Sequence, residues 1–135
     1  MVSAIKFYDT VEAIGLGEHD FSNDTLKVYL TNNKPSVSND ADKGDLAGIT
    51  EEHGYAPADI QNVWSESSGT GTLTATDVVF TASGGTIGPF RYVVIYNDTH
   101  ASDGLICYYD YGSVVTLQSG ESFTVDFGAS VFTLA

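Results

Sequence analysis

The chain has 135 residues, 18 of them Asp or Glu and 5 Lys or Arg, for a formal charge of −13 at neutral pH. The basic residues Lys6, Lys27, Lys34, Lys43 and Arg91 are scattered, so they cannot form the cationic stripe that a nucleic-acid backbone or an anionic membrane surface demands. No apolar run reaches the ~18 to 20 residues needed to cross a bilayer, and Met1–Thr10 lacks the basic start and apolar stretch of a signal peptide.

The chain is therefore expected to be soluble and untargeted, with no nucleic-acid and no membrane partner. Size scaling predicts a folded surface of roughly 6,800 Å² and burial of about two thirds of the unfolded surface, enough for one core and one domain spanning 1–135. The lone Cys107 excludes an internal disulfide and a cysteine-based zinc cage. With 42% hydrophobic residues the chain can fold unaided.

Near the N-terminus, Ile5, Tyr8, Val11, Glu12 and Ile14 approximate the spacing of one helical face, and Gly15-Leu-Gly17 ends such a segment. The spacing predicts a short helix over 3–14. Ser3 supplies only half a capping signal, so a strand through 4–8 stays open. Past Gly17 the period changes to two. Leu26, Val28 and Leu30 alternate with Lys27, Tyr29 and Thr31 as in a half-buried strand. Residues 32–59 are polar, rich in Asn, Asp and Gly, and broken by Pro35 and Pro57. They predict one long acidic loop, read as an extended arm, and loops of that length are commonly functional.

Short strands are predicted over 60–66, 71–75, 77–82, 90–96, 105–111, 114–117, 122–127 and 131–134, with Gly, Asp and Asn in nearly every gap. Tyr92-Val-Val-Ile-Tyr96 is continuously apolar and reads as a central strand covered on both faces, whereas Phe123, Val125 and Phe127 alternate with polar neighbours. The connections are too short for crossovers. The fold class is mainly β: an antiparallel β-sandwich or flattened barrel with a short N-terminal helix and one long acidic loop.

Candidate chemistry is sparse. Asp40, Asp42, Asp45 and Glu51 approach the order of an EF-hand loop, with Glu51 at the twelfth place counted from Asp40. Gly44 and Asp45 stand in the reverse of the required order, so a solvated acidic loop is the better reading and no cofactor is assigned. Several carboxylates on a flexible loop can still gather a hard cation such as calcium. His19, His53 and His100 lie far apart without ligand spacing and read as exposed loop residues. Cys107 shares a strand face with Leu105 and Tyr109 and reads as a buried, inert thiol. Alternation places Asp110 opposite Tyr109 and Tyr111, facing solvent or at a strand end. No paired nucleophile and base can be read off, so the chain is expected not to be an enzyme and has no assigned catalytic residue.

The eight Tyr and single Trp bear on binding. Tyr55, Trp64 and neighbouring tyrosines can form a stacking platform for a host glycan, which would make the chain a carbohydrate-binding β module. Most tyrosines are explained by core and sheet packing.

The segments follow a recognisable order. It begins with Ala4-Ile-Lys-Phe-Tyr8, Asp24-Thr-Leu-Lys-Val-Tyr-Leu-Thr31 and His53-Gly-Tyr55. It continues with Phe90-Arg-Tyr-Val-Val-Ile-Tyr-Asn-Asp98, Leu105-Ile-Cys-Tyr-Tyr-Asp-Tyr-Gly112 and Ser122-Phe-Thr-Val-Asp-Phe127. Over nearly its whole length the chain resembles a family of small tailed-phage virion structural proteins. It departs from the pattern at Tyr111, where Phe is usual, and in the acidic stretch between Thr31 and Ile49. The resemblance implies a capsid decoration or cement protein, made in the bacterial host cytoplasm and bound to the outside of the virion on the major capsid protein. Self-association as a homo-dimer or homo-trimer is expected with it. Its partner contacts would come from Tyr8 on the N-terminal segment, from Asp40, Asp42, Asp45, Glu51 and Tyr55 on the 32–59 arm, and from Trp64. A tail, neck or fibre-associated role is the alternative within the virion.

Overall fold

The computed structural model describes residues 3–135 and is mainly β, with antiparallel sheets and one short helix. In chain order the elements are β1 (Ile5–Lys6), α1 (Tyr8–Gly15), β2 (Leu26–Thr31), β3 (Ala58–Asp59), β4 (Val63–Ser67) and β5 (Thr70–Thr74). They continue with β6 (Val78–Thr81), β7 (Ile87–Asn97), β8 (Leu105–Leu117), β9 (Ser122–Val125) and β10 (Phe132–Leu134). A five-stranded sheet runs in the order β1-β8-β7-β2-β3, and its partners are a β10-β5-β4 sheet and a β6-β9 pair. The accessible surface, 6678 Å², is close to the value expected from size alone.

The predicted strands are present with shifted ends, and three local differences have physical causes. The predicted helix over 3–14 is split. Ile5 and Lys6 pair with Tyr108 and Cys107 on the edge of the large sheet, and the helix starts only at Tyr8. Phe7 is wholly buried between them, packed 5.6 Å from the Tyr108 ring. Second, the predicted strands over 105–111 and 114–117 are one strand. Gly112, at φ 93, supplies an irregularity that a residue with a Cβ would adopt only under strain, so the chain continues where a turn was expected.

Third, β2 is covered on both faces. On one face, Tyr29 meets Tyr96 edge-on at 5.5 Å, and the Lys43 ammonium lies 5.2 Å from the Tyr29 ring and 5.4 Å from that of Tyr96. Beside them α1 docks through Thr10, whose hydroxyl lies 2.7 Å from the Leu105 carbonyl oxygen and 2.9 Å from that of Ile106. On the opposite face Val28, Leu30, Val93 and Ile95 are buried towards the smaller sheets. There Phe90 meets Phe123 at 5.0 Å, Tyr109 meets Phe127 at 6.2 Å and Lys6 covers Phe132 at 5.2 Å. Each fully buried Leu, Ile or Phe contributes about 1.5–3 kcal/mol.

The 32–59 segment is not a free arm. Leu46 and Tyr55 are both buried at 3% exposure. The Tyr29 hydroxyl donates to the Leu46 carbonyl at 2.7 Å, the Thr31 hydroxyl donates to the Ala47 carbonyl at 2.7 Å, and the Ile49 amide donates to the Leu30 carbonyl at 3.0 Å. The segment therefore serves as a cover for the large sheet, its irregular backbone satisfied by the side chains and edge groups of β2.

Two substitutions check this packing. Tyr55→Phe removes the hydroxyl that accepts the buried Leu30 amide at 2.9 Å, and an orphaned buried donor costs about 1–3 kcal/mol. Gly71→Ala places a methyl group in the space occupied by the Trp64 indole, an overpacking expected to cost about 1–3 kcal/mol. In urea unfolding both variants should show lower midpoints at unchanged slope; wild-type midpoints would show that these contacts carry no stability.

Candidate functional site

Four large apolar side chains near the N-terminus face outwards: Ile5 at 42% exposure, Tyr8 at 66%, Val11 at 60% and Leu16 at 65%. The helix explains the arrangement. Thr10 and Ala13 turn inward to the sheet, so Tyr8 and Val11, three residues apart, share the outward side. The Tyr8 amide donates to the Val37 carbonyl at 2.9 Å, which fastens the start of α1 to the 32–59 segment. Tyr8 thus stands where a partner can reach it.

The acidic residues singled out from the sequence are engaged locally. The Asp40 carboxylate accepts the Ser36 amide at 2.8 Å. Asp42 and Asp45 form a reciprocal cap around the short 3₁₀ turn Lys43–Asp45: Asp42 accepts the Asp45 amide at 3.2 Å, while Asp45 accepts the amides of Ala41 and Asp42 at 3.0 and 3.3 Å. Glu51 is exposed. Among the described residues, no three His, Cys, Asp or Glu side chains gather as a metal cage would require. The apparent EF-hand order reflects side chains that close turns.

The expected stacking platform does not form. Tyr55 is buried, with its ring 5.2 Å from that of Phe80, so it is not a partner contact. Trp64 is only half-exposed, spending its indole on Gly71, Phe21 and Phe132. Both rings are used in packing: Tyr55 against Phe80, and Trp64 against Phe21 and Phe132. Open aromatic surface lies elsewhere, in a groove of about 340 Å³ between β8 and β9 lined by Tyr109, Tyr111 and Phe123. No sequence signal distinguished these rings from their neighbours.

The histidines, Cys107 and Asp110 differ in how far the fold buries them. His19 is 9% exposed and its ring lies 5.4 Å from that of His100, so the fold joins two histidines that are distant in sequence. His53 stays half-exposed, with Nδ1 2.9 Å from the Thr86 carbonyl oxygen. Cys107 is fully buried, and desolvation pushes its thiol up to about 12, which keeps it protonated and unreactive. Asp110 is half-exposed inside β8 and grips Arg91 by two hydrogen bonds, at 2.9 and 3.1 Å. Those bonds hold its carboxyl below the usual range and push the guanidinium up.

Among the described residues, no helix is long and apolar enough to cross a membrane. Because the carboxylates of Asp40, Asp42 and Asp45 already accept backbone amides, thermal melts with added calcium and with a chelator are expected to coincide. A melting temperature that rises with calcium would show that they rearrange around the ion. The chain matches none of the protein-family models, curated proteins or solved structures with which it was compared.

Proposed function

We propose that this chain is a non-enzymatic structural component of a tailed-phage virion: a capsid decoration or cement protein bound to the outside of the major capsid protein shell, which it stabilises. The observation that carries the reading is the run of exposed apolar side chains Ile5, Tyr8, Val11 and Leu16 near the N-terminus of a strongly acidic chain. It is joined by the ordered likeness of the chain's segments to small phage virion proteins.

Physical chemistry supports this assignment. Buried against a shell, each of these side chains yields about 1–3 kcal/mol, and repetition of weak contacts over a symmetric lattice turns modest affinity into high occupancy. The charge of −13 repels nucleic acid, which suits a protein added outside the particle. Because Leu46 and Tyr55 are tied into the core, the 32–59 segment contributes through its exposed rim, Asp45 and Glu51, and leaves the apolar grip to the N-terminal face. Self-association as a dimer or trimer has to rely on apolar and backbone contacts, since cationic partners for the acidic surface are scarce.

A tail, neck or fibre-associated position uses the same surface and is separated by stoichiometry. Quantitative mass spectrometry of purified virions should find the chain in numbers comparable with the major capsid protein; a handful of copies per particle indicates the tail, and absence overturns the virion reading. Replacing Tyr8 and Val11 together by Glu removes two apolar anchors while leaving the core intact. Occupancy on particles should fall by a factor of ten or more, on the order of 2 kcal/mol in binding, with an unchanged melting temperature. Full occupancy of this variant would mean that another face binds.

A further inference from the structure

We propose that His19 and His100 form an acid-released clasp, which at neutral pH fastens the 18–24 turn to the β7–β8 turn and, through it, holds the acidic 41–45 segment.

The hydrogen bonds define the protonation states. Asn97, fully buried, has its side-chain oxygen facing the amides of Thr99 and His100 at 3.0 and 3.2 Å, so its nitrogen must be the group that faces His19 Nδ1 at 3.0 Å and Asp24 Oδ2 at 2.8 Å. His19 Nδ1 is therefore an acceptor and the ring proton sits on Nε2, which is buried with no partner. His100 is arranged alike. Its Nδ1 faces the amides of Gly104 and Ser102 at 3.2 and 3.4 Å, and its Nε2 donates to Glu18 at 3.0 Å. In both rings the nitrogen that would take a second proton faces N–H donors.

Protonation therefore sets donor against donor at Asn97 and at the Gly104 amide, and places two cations 5.4 Å apart between ring centroids. Opposing charges are close. Asp9 on α1, Glu18, and Asp24 ahead of β2 all favour a charged His19, while burial and His100 disfavour it more strongly, so its affinity for a proton is lowered. Asp24 is already occupied by the Asp20 amide and by Asn97. Of the charges on the β7–β8 turn and its neighbours, Asp98 pairs with Lys27 of β2 at 3.2 Å, while the Asp103 carbonyl accepts the Lys43 amide at 3.0 Å. Asp42 bridges to Gly104, and the Leu105 amide donates to the Ala41 carbonyl at 3.0 Å. Opening the turn at His100 thus releases the segment that carries Asp42 and Asp45.

The sign follows from burial of the neutral ring. The contribution of His19 to stability is complete above the unfolded value of 6.5 and is lost as pH falls below it. Acid also relieves the self-repulsion of the carboxylates, which acts in the opposite sense and is shared by any histidine variant.

NMR on the whole chain tests the clasp, with histidine ring and backbone amide signals followed from about pH 7.5 to about pH 5, across the ordinary histidine range. His19 is expected to titrate below the ordinary value of 6.5, and the amides of 98–104 and 41–45 should shift or broaden with the same midpoint. A His19 midpoint at the ordinary value, or amides that stay still while the His19 ring titrates, overturns the proposal. In parallel, His19→Gln and His100→Gln combined should remove an acid-dependent drop in melting temperature of about 4 °C relative to wild type. Identical pH profiles also overturn it, and should the double variant fail to fold, the wild-type titration decides alone.

Discussion

The whole architecture depends on how the exposed length of β2 is closed. β3 pairs only with Lys27 and Val28, so the strand runs on past its neighbour with unpaired backbone groups beneath a cover of irregular chain. Buried N–H and C=O groups without partners are costly, and among the described residues no further strand pairs with β2 on that side. Side chains and loop backbone substitute: the Tyr55 hydroxyl accepts the Leu30 amide, the Ile49 amide donates to the Leu30 carbonyl, and Asn62 accepts the Leu26 amide at the opposite end. These few bonds let a polar, proline-broken segment lie over a sheet face and complete the second covering layer.

The same economy governs the acidic residues. Many carboxylates that look available in sequence are turn fasteners in the fold: Asp20 gathers Ser22 and Asn23, Asp42 and Asp45 cap one another's turn, and Asp77 accepts the Phe127 amide. Burial of the tyrosine rings works alongside. Tyr55 is pushed up to about 12 and Tyr29 higher still, chiefly by desolvation, so both stay protonated as hydrogen-bonding struts at any physiological pH. What remains for contact is a smaller surface than the composition suggests, and its exposed apolar side chains include Ile5, Tyr8, Val11 and Leu16 near the N-terminus and Val63, Val79, Tyr111, Val114 and Leu134 on the strands.

This division of labour links packing to function. The core sheet is covered on both faces and its thiol is inert, while the N-terminal segment is held by its edge pairing, buried Phe7, the Thr10 hydroxyl and the Tyr8 amide, and presents Ile5, Tyr8, Val11 and Leu16 outward. A rigid body with an apolar face on an acidic shell is suited to adhesion. The histidine pair sits where the β2–β7 ladder ends, joined across the two turns by side-chain bonds through Asn97, Asp24 and Glu18.

Much of the fold was legible in the sequence because strand period and turn residues are local properties. The alternation in Leu26–Thr31, the continuous apolar run Tyr92–Tyr96 and the Gly- and Asp-rich gaps each report their own conformation, and together they fix an antiparallel β class. The single cysteine likewise excludes an internal disulfide without reference to a fold. Tertiary structure decided what depends on distant partners. Tyr8 and Tyr55 are indistinguishable as letters, yet one is exposed because Thr10 and Ala13 take the sheet side of α1, and the other is buried with its hydroxyl on the Leu30 amide, which β3 does not reach. The meeting of His19 with His100, and the loss of Asp42 and Asp45 to a cap, have the same origin: burial and hydrogen bonding are set by residues far along the chain, which local patterns cannot encode.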